Sequence, residues 1–260
     1  MAHVPLEVSI VVPFFNEAEN VVPMVDELTR TFAPTRFDWE MVLVDDGSTD
    51  GTWQSICSVS LRDSRVRGLR HINNRGQSAA VWTGITRSTG AMICTLDGDL
   101  QNDPSELPRM LEMLTEVDFV SGHRVNRQDN GIRKLSSRVA RGVRMWALRS
   151  DFADTGCALR AFKRRSLEGV FPFNGLHRFL PILVEGNGSR AVEIPVKHRQ
   201  RLAGVSKYGI WNRLGRGIWD LMAMAWYQRR RIAPVEVVPT PGPDVHTPSV
   251  EGVEFRKTRI

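Results

Sequence analysis

The chain reads as an α/β protein: a mostly parallel sheet with helices on both faces, followed by an amphipathic C-terminal helix. Three observations predict this. Between Glu7 and Gly122, short runs rich in Val, Ile and Leu alternate with segments of helical period. Strand, helix, strand repeats of that kind bury a parallel sheet between helical layers. The 260 residues, 42% apolar and 25% charged, are enough to build such a core without covalent staples.

The strands expected in the first half are Val8–Pro13, Trp39–Asp45, Arg67–Ile72, Ala91–Leu96 and Asp118–Ser121, each bounded by turn residues. Between them lie helices over Glu17–Phe32, Thr52–Leu61, Gly76–Ser88 and Pro104–Thr115, the last opening on proline, whose missing N–H costs nothing at a first helical position. After Gly122 the alternation stops. A basic segment runs to Arg149, then come a strand over Ala158–Lys163, a helix around His177–Glu185 and a strand over Ala191–His198. Residues 208–228 place Trp211, Leu214, Ile218, Met222 and Ala225 on one helical face, with Arg213, Arg216 and Asp220 elsewhere. Residues 233–260 hold five of the 14 prolines and no long apolar run, which reads as a disordered tail.

Composition removes several function classes. The three cysteines, Cys57, Cys94 and Cys157, form no C-x-x-C pair, so neither a disulfide framework nor a zinc knuckle is expected and a reducing compartment is. No run approaches the roughly 18–20 apolar residues of a bilayer span, and no signal-peptide pattern occurs, so a soluble chain is expected. The net charge of +6 is unevenly placed: residues 124–149 and 199–231 each carry eight Lys/Arg against one Asp, leaving the remainder at −8. Two basic blocks on an acidic body suggest an anionic partner. Nucleic acid is not the expected one, because the blocks contain no zinc finger or RNP-type aromatic motif.

Ligands of parallel sheets bind at the carboxyl ends of the strands. Three acidic loops occur there: Asn16-Glu17 after the first strand, Asp45-Asp46-Gly47-Ser48 after the second, and Asp97-Gly98-Asp99-Leu100-Gln101 after the fourth. On an extended segment Asp97, Asp99 and Gln101 would point the same way and offer hard oxygens, which suits Mg²⁺ or Mn²⁺ held partly by substrate phosphates. The plainer reading, an acidic turn whose carboxylates cap a helix, needs no metal. Neither a P-loop nor a G-x-G-x-x-G turn is present, so the site is a nucleotide and metal site without a glycine-rich cradle.

Val12-Pro13-x-Phe15-Asn16-Glu17, Val44-Asp45-Asp46-Gly47-Ser48, Asn74-Arg75-Gly76, Asp97-Gly98-Asp99-Leu100-Gln101-x-x-Pro104, Gly122-His123-Arg124 and Arg201-x-x-Gly204-x-Ser206-Lys207 together carry a resemblance. Over about residues 7–228 the chain resembles family 2 glycosyltransferases of the dolichyl-phosphate mannose synthase-like branch. The resemblance implies a GT-A fold over 1–207, with a nucleotide-sugar half over about 7–122 and an acceptor half over about 123–207. A membrane-associating helix over 208–231 and the tail over 232–260 would follow.

It further implies that Pro13, Phe15 and Glu17 line the nucleoside pocket, Phe15 standing where tyrosine is usual. Asp45 or Asp46 would reach the base or ribose, and Asp97, Asp99 and Gln101 would hold the metal on the diphosphate. Arg124, Arg133, Ser137, Arg201 and Lys207 would lie near the donor diphosphate and the acceptor phosphate, where guanidinium forks suit the geometry. Gly122-His123-Arg124 departs from the pattern, with histidine where serine is common.

The activity so implied is inverting transfer of a sugar from a GDP- or UDP-sugar to a polyisoprenyl phosphate, dolichyl or undecaprenyl, at the cytoplasmic face of the membrane in cell envelope synthesis. An acceptor phosphate is already ionised and needs no general base. A glycan hydroxyl acceptor would need one, with Asp154 the candidate; otherwise Asp154 orients the acceptor or shapes its turn. A non-catalytic nucleotide-sugar-binding protein is the third reading. Membrane access would come from an anionic membrane surface or a membrane partner protein. Trp211, Trp219, Trp226 and Arg229–Arg231 suit an interfacial helix, and packing on the domain's own core is the alternative.

Overall fold

The computed structural model describes residues 6–125, 148, 150, 152–199 and 210–231, the last segment with its side chains from 219 onward. Arg133, Ser137, Arg201, Lys207, the side chain of Trp211 and the tail over 232–260 lie outside the described residues. Seven strands form one sheet: β1 (Val8–Phe14), β2 (Trp39–Asp45), β3 (Val66–Arg70), β4 (Met92–Thr95), β5 (Phe119–Arg124), β6 (Arg160–Lys163) and β7 (Ala191–Val196), in the order β3-β2-β1-β4-β6-β5-β7. The pairs β3–β2, β2–β1, β1–β4 and β5–β7 are parallel, while β6 runs antiparallel to both β4 and β5.

The described α-helices are α1 (Ala18–Phe32), α2 (Thr52–Arg62), α3 (Gln77–Arg87), α4 (Leu107–Glu112), α5 (Leu176–Gly186) and α6 (Ile210–Arg230). The period of two in β1 and β2 sorts their side chains into two cores. Ile10, Val12, Phe14, Met41 and Leu43 pack with α1, α2 and α4, while Val11, Val42 and Val44 face the core of α3 and α5. Every residue of β2 is consequently buried, as expected of a parallel strand covered on both sides.

Three expected elements differ in detail. The segment Pro104–Thr115 is a 3-10 turn, the short helix α4 and a second 3-10 turn; Pro108 has no N–H to give the Pro104 carbonyl, which takes the Leu107 N–H instead and breaks a continuous helix from 104. β5 runs on through Gly122-His123-Arg124, paired with β7 to Val196, so the sheet continues where the sequence pattern stops. The Asp97–Gln101 stretch is a turn, with buried Leu100 at φ 61°, so the same-side argument from extended backbone does not hold. The turn, with a bulky residue in the left-handed region, brings the carboxylates together instead.

No described helix is long and apolar enough to cross a membrane. Helix α6 packs Met224 into the α3/α5 core, with Leu221, Ala225 and Tyr227 against it, and leaves Trp219, Met222 and Trp226 49–72% exposed. The single apolar stripe read from the sequence therefore splits, Ala225 facing inward and Met222 outward.

Candidate active site

Strand order reverses around β1, which lies between β2 and β4, so the crevice beyond their carboxyl ends is the switch point of the sheet. Two hollows, of about 380 and 610 Å³, lie elsewhere: one near Glu7 and Met92 at the amino ends of β1 and β4, the other over Trp53, Cys57 and Leu61 on α2. Neither includes the acidic loops.

The loops after β1 and β2 are laced together. Asn16, at φ 51°, donates its N–H to Ser48 Oγ (2.9 Å) and accepts the Thr49 N–H (2.8 Å), and the Glu17 N–H donates to Thr52 Oγ1 (2.9 Å). Asparagine tolerates this left-handed backbone better than most residues. Pro13, Phe15 and Glu17 are half-buried on this rim, and Glu17 accepts a hydrogen bond from Asn20.

Asp45 and Asp46 are buried and engaged within the protein. Asp45 accepts the Ser48 N–H (2.9 Å) and pairs with Arg70 (3.1 Å). Asp46 receives His71 Nδ1 (2.7 Å) and the N–H groups of Arg75 (2.9 Å) and Gly76 (2.7 Å), tying the β3–α3 loop to β2. A Cβ on Gly47, at φ 71°, would stand 2.6 Å from the Asn74 nitrogen, so the loops meet there only through glycine.

On β4's loop, Asp97 Oδ1 accepts from the Gln77 amide (2.6 Å) and Asp99 Oδ1 from the Gln101 N–H (3.2 Å). Desolvation first, and then the neighbouring Asp99 carboxylate, pushes the Asp97 pKa up to about 6, against the opposing charges of Arg160 and Arg124. Two carboxylates held this close are relieved by a shared cation. Among the described residues no three or more His, Cys, Asp or Glu side chains converge on a metal-binding geometry. The protein's share would be Asp97, Asp99 and the side-chain oxygen of Gln101, a hard-oxygen set that fits a divalent ion bound together with phosphates.

The Gln101 amide donates to the Arg199 carbonyl (3.5 Å) and the Arg199 N–H to the Gln101 carbonyl (2.8 Å). Arg199 itself reaches Glu27 (2.6 Å) and Asp103 (2.9 Å). The segment that leads toward Arg201 and Lys207 thus departs from beside the Asp97–Gln101 loop.

Sequence reasoning missed how Arg124 is held. Its guanidinium forks onto Asp154 at 2.7 and 2.9 Å, while Glu193 on β7 accepts the Ala153 and Asp154 N–H groups (2.8 and 2.7 Å). Asp154 is therefore an arginine anchor, and a carboxylate so paired makes a poor base. Arg160 was missed too. It is buried, gives one N–H to the Thr155 carbonyl (2.8 Å) and leaves Nε without a hydrogen-bond partner; burial pushes its pKa down to about 10 even with Asp97 nearby. An arginine inside the apolar run Ala158–Lys163 was the available signal. Gln77 carried none beyond its place after Gly76.

Residues 9–171 match the family described as glycosyl transferase family 2. The chain is 37% identical over 235 residues to a dodecaprenyl-phosphate galacturonate synthase of Rhizobium johnstonii, covering 88% of this chain and 69% of the relative. It is 35% identical over 218 residues to an undecaprenyl-phosphate 4-deoxy-4-formamido-L-arabinose transferase of Yersinia pestis, covering 83% and 66%. A mannosyltransferase from Pyrobaculum calidifontis, solved with GDP-mannose and Mn²⁺, superposes with a TM-score of 0.63 at 23% identity, covering 89% and 67%, and shows the GT-A-like fold. The chain thus spans about two thirds of the length of these proteins. With the family match running from β1 to the loop before α5, the chain belongs to glycosyl transferase family 2.

Proposed function

We propose that this glycosyltransferase moves a sugar, with inversion, from a nucleotide sugar to a polyisoprenyl phosphate at the cytoplasmic membrane face. The observation that carries the choice of acceptor is the Arg124–Asp154 fork. It commits the carboxylate that a hydroxyl acceptor would need as base and sets a guanidinium near Asp97. The relatives named for dodecaprenyl- and undecaprenyl-phosphate products support the same acceptor class.

In this reading Pro13, Phe15 and Glu17 line the nucleoside pocket, with Asp45 and Asp46 holding its loops. Asp97, Asp99 and Gln101 would hold a divalent cation, which when bound supplies charge neutralisation at the diphosphate. Arg124 stabilises developing negative charge, and Arg133, Ser137, Arg201 and Lys207 are assigned to the two phosphate groups from the sequence. An acceptor oxygen forms its bond to the anomeric carbon as the bond to the nucleoside diphosphate breaks and its electrons leave with that group. No proton need move, so the work is positioning and electrostatics.

Helix α6 would rest on the lipid surface. Its exposed Trp219, Met222 and Trp226 form one outward strip, and the exposed Arg229 and Arg230 follow. Arg231 is turned back, a guanidinium nitrogen lying 2.5 Å from where a Cβ on Gly186 would stand. The test of function is a turnover assay with divalent metal and UDP- and GDP-sugars, offering undecaprenyl phosphate, dolichyl phosphate or a glycan acceptor. Transfer to the lipid phosphate is the expected result. Transfer only to the glycan would overturn the acceptor assignment, and binding without turnover would favour a non-catalytic nucleotide-sugar-binding protein.

A further inference from the structure

Gln77 opens α3 with an exposed side chain on a backbone that is pinned on both sides. On one side the Asp46 carboxylate takes the N–H groups of Arg75 (2.9 Å) and Gly76 (2.7 Å). Gly76 then turns the chain at φ 88°, in the left-handed region, and its carbonyl receives the Ala79 N–H (3.0 Å) that begins the helix. On the other side, buried Ser78 accepts the Gly175 N–H at Oγ (2.9 Å) and meets His177 Nδ1 at 2.6 Å, joining α3 to the first turn of α5. Held there, the Gln77 amide donates to Asp97 Oδ1 at 2.6 Å.

This contact makes the two oxygens of Asp97 unlike. Oδ1 shares its electron density with the amide proton, whereas Oδ2 has no hydrogen-bond partner among the described residues. Because Gln77 is itself exposed, the contact buries little, and its main effect is on how the carboxylate is oriented. The β2 loop thus governs, through Asp46 and the start of α3, a carboxylate on the β4 loop.

We propose that Gln77 is a positioning residue for the divalent cation: by occupying Oδ1 it leaves Asp97 to offer the cation one oxygen, which favours Mg²⁺ or Mn²⁺ over Ca²⁺. The proposal rests on the assignment of a cation to the β4 loop and extends it to the residue that orients the ligand. Ca²⁺ takes about six to eight oxygens at about 2.3–2.6 Å and accepts carboxylates through both oxygens, whereas Mg²⁺ demands near-octahedral order at about 2.0–2.1 Å. The two oxygens of one carboxylate lie too close together to fill neighbouring corners of a regular octahedron. A group that ties up one of them therefore selects the smaller ions, in the way that a partner behind a metal ligand sets its orientation.

The test is a titration of the full chain with Mn²⁺, followed by loss of its free electron paramagnetic resonance signal, with Ca²⁺ as competitor. Wild type, Gln77→Ala and Gln77→Lys are compared. Wild type should prefer Mn²⁺, and Gln77→Ala should lose about tenfold in Mn²⁺ affinity but less than about threefold in Ca²⁺ affinity. Gln77→Lys keeps an N–H donor for Asp97; its added charge opposes both divalent ions alike, so the wild-type ratio of the two affinities should be retained even where both weaken. The thermal midpoint of metal-free Gln77→Ala should match that of wild type. A ratio unchanged in Gln77→Ala, or a fall in its midpoint that accompanies equal losses for both ions, makes Gln77 a structural residue and overturns the proposal. Equal affinity of wild type for the two ions overturns it without recourse to a variant. Wild type that takes up no Mn²⁺, alone or with UDP or GDP present, overturns the cation assignment and the proposal with it.

Discussion

Asp97 sits beside a second carboxylate, and desolvation first, then Asp99, raises its pKa to about 6. A folded-state value above the unfolded one means that the folded protein binds this proton more tightly. Between the usual carboxylate range near 4 and about 6, the metal-free protein therefore loses stability as pH rises. Asp97→Asn should raise the thermal midpoint of the metal-free protein at pH 7.5 by the equivalent of about 1–3 kcal/mol, and the gain should vanish near pH 4. Scanning calorimetry at both pH values checks this. A cation must displace the same proton, so Mn²⁺ affinity of wild type should weaken as pH falls through about 6. Asp99→Asn should abolish transfer with the fold retained, and chelation should do the same to wild type; full activity in excess EDTA would refute the metal role.

Two elements impose geometry on these residues. The β4 loop approaches β1 so closely that a Cβ on Gly98 would stand 2.6 Å from the Phe14 ring and 2.9 Å from the Pro13 carbonyl. Gly98→Ala should consequently lower the thermal midpoint and Mn²⁺ affinity together, because the core ring of Phe14 and the β1 backbone resist giving way and the loop carrying Asp97 and Asp99 must shift instead. Helix α6 serves two surfaces at once, with Met224 in the core and Trp219 and Trp226 outside. Each surface cation adds on the order of 1 kcal/mol near anionic lipid. Arg229→Glu with Arg230→Glu should therefore release the chain from phosphatidylglycerol vesicles in a salt-sensitive way, with the thermal midpoint unchanged. Binding that survives both substitutions and high salt would refute the electrostatic anchor.

At the scale of the whole molecule, Arg199 ties the segment after β7 to the first half of the chain, bridging Glu27 on α1, Asp103 and the Gln101 backbone. The chain enters the Arg201–Lys207 stretch directly from this junction. Lys207→Ala should slow transfer to lipid phosphate at least tenfold with nucleotide affinity nearly unchanged, since a contact to the acceptor is made only when the acceptor is present. Equal losses in transfer and nucleotide binding would make Lys207 a structural residue.

The parallel half of the sheet was legible because strand and helix periods are local: Val8–Phe14 and Trp39–Asp45 declare themselves by the apolar runs Ile10–Phe14 and Met41–Val44. The acidic loops were legible for the same reason, each being a short string next to a strand. What neighbouring residues could not encode was pairing across the fold. Arg124 meets Asp154 30 residues away, Gln77 meets Asp97 20 away, and Ser78 meets His177 99 away. The antiparallel insertion of β6 between β4 and β5 likewise depends on long-range pairing. By itself the sequence determined the fold class, the loops that carry the chemistry and the family resemblance, all of which follow from short-range pattern. Only the tertiary structure decided that Asp154 anchors an arginine, that Asp46 ties a loop, that Arg160 lies buried near Asp97, and that α6 packs one face while exposing the other. Hydrogen bonding and burial belong to contacts between distant segments, and no local period specifies them.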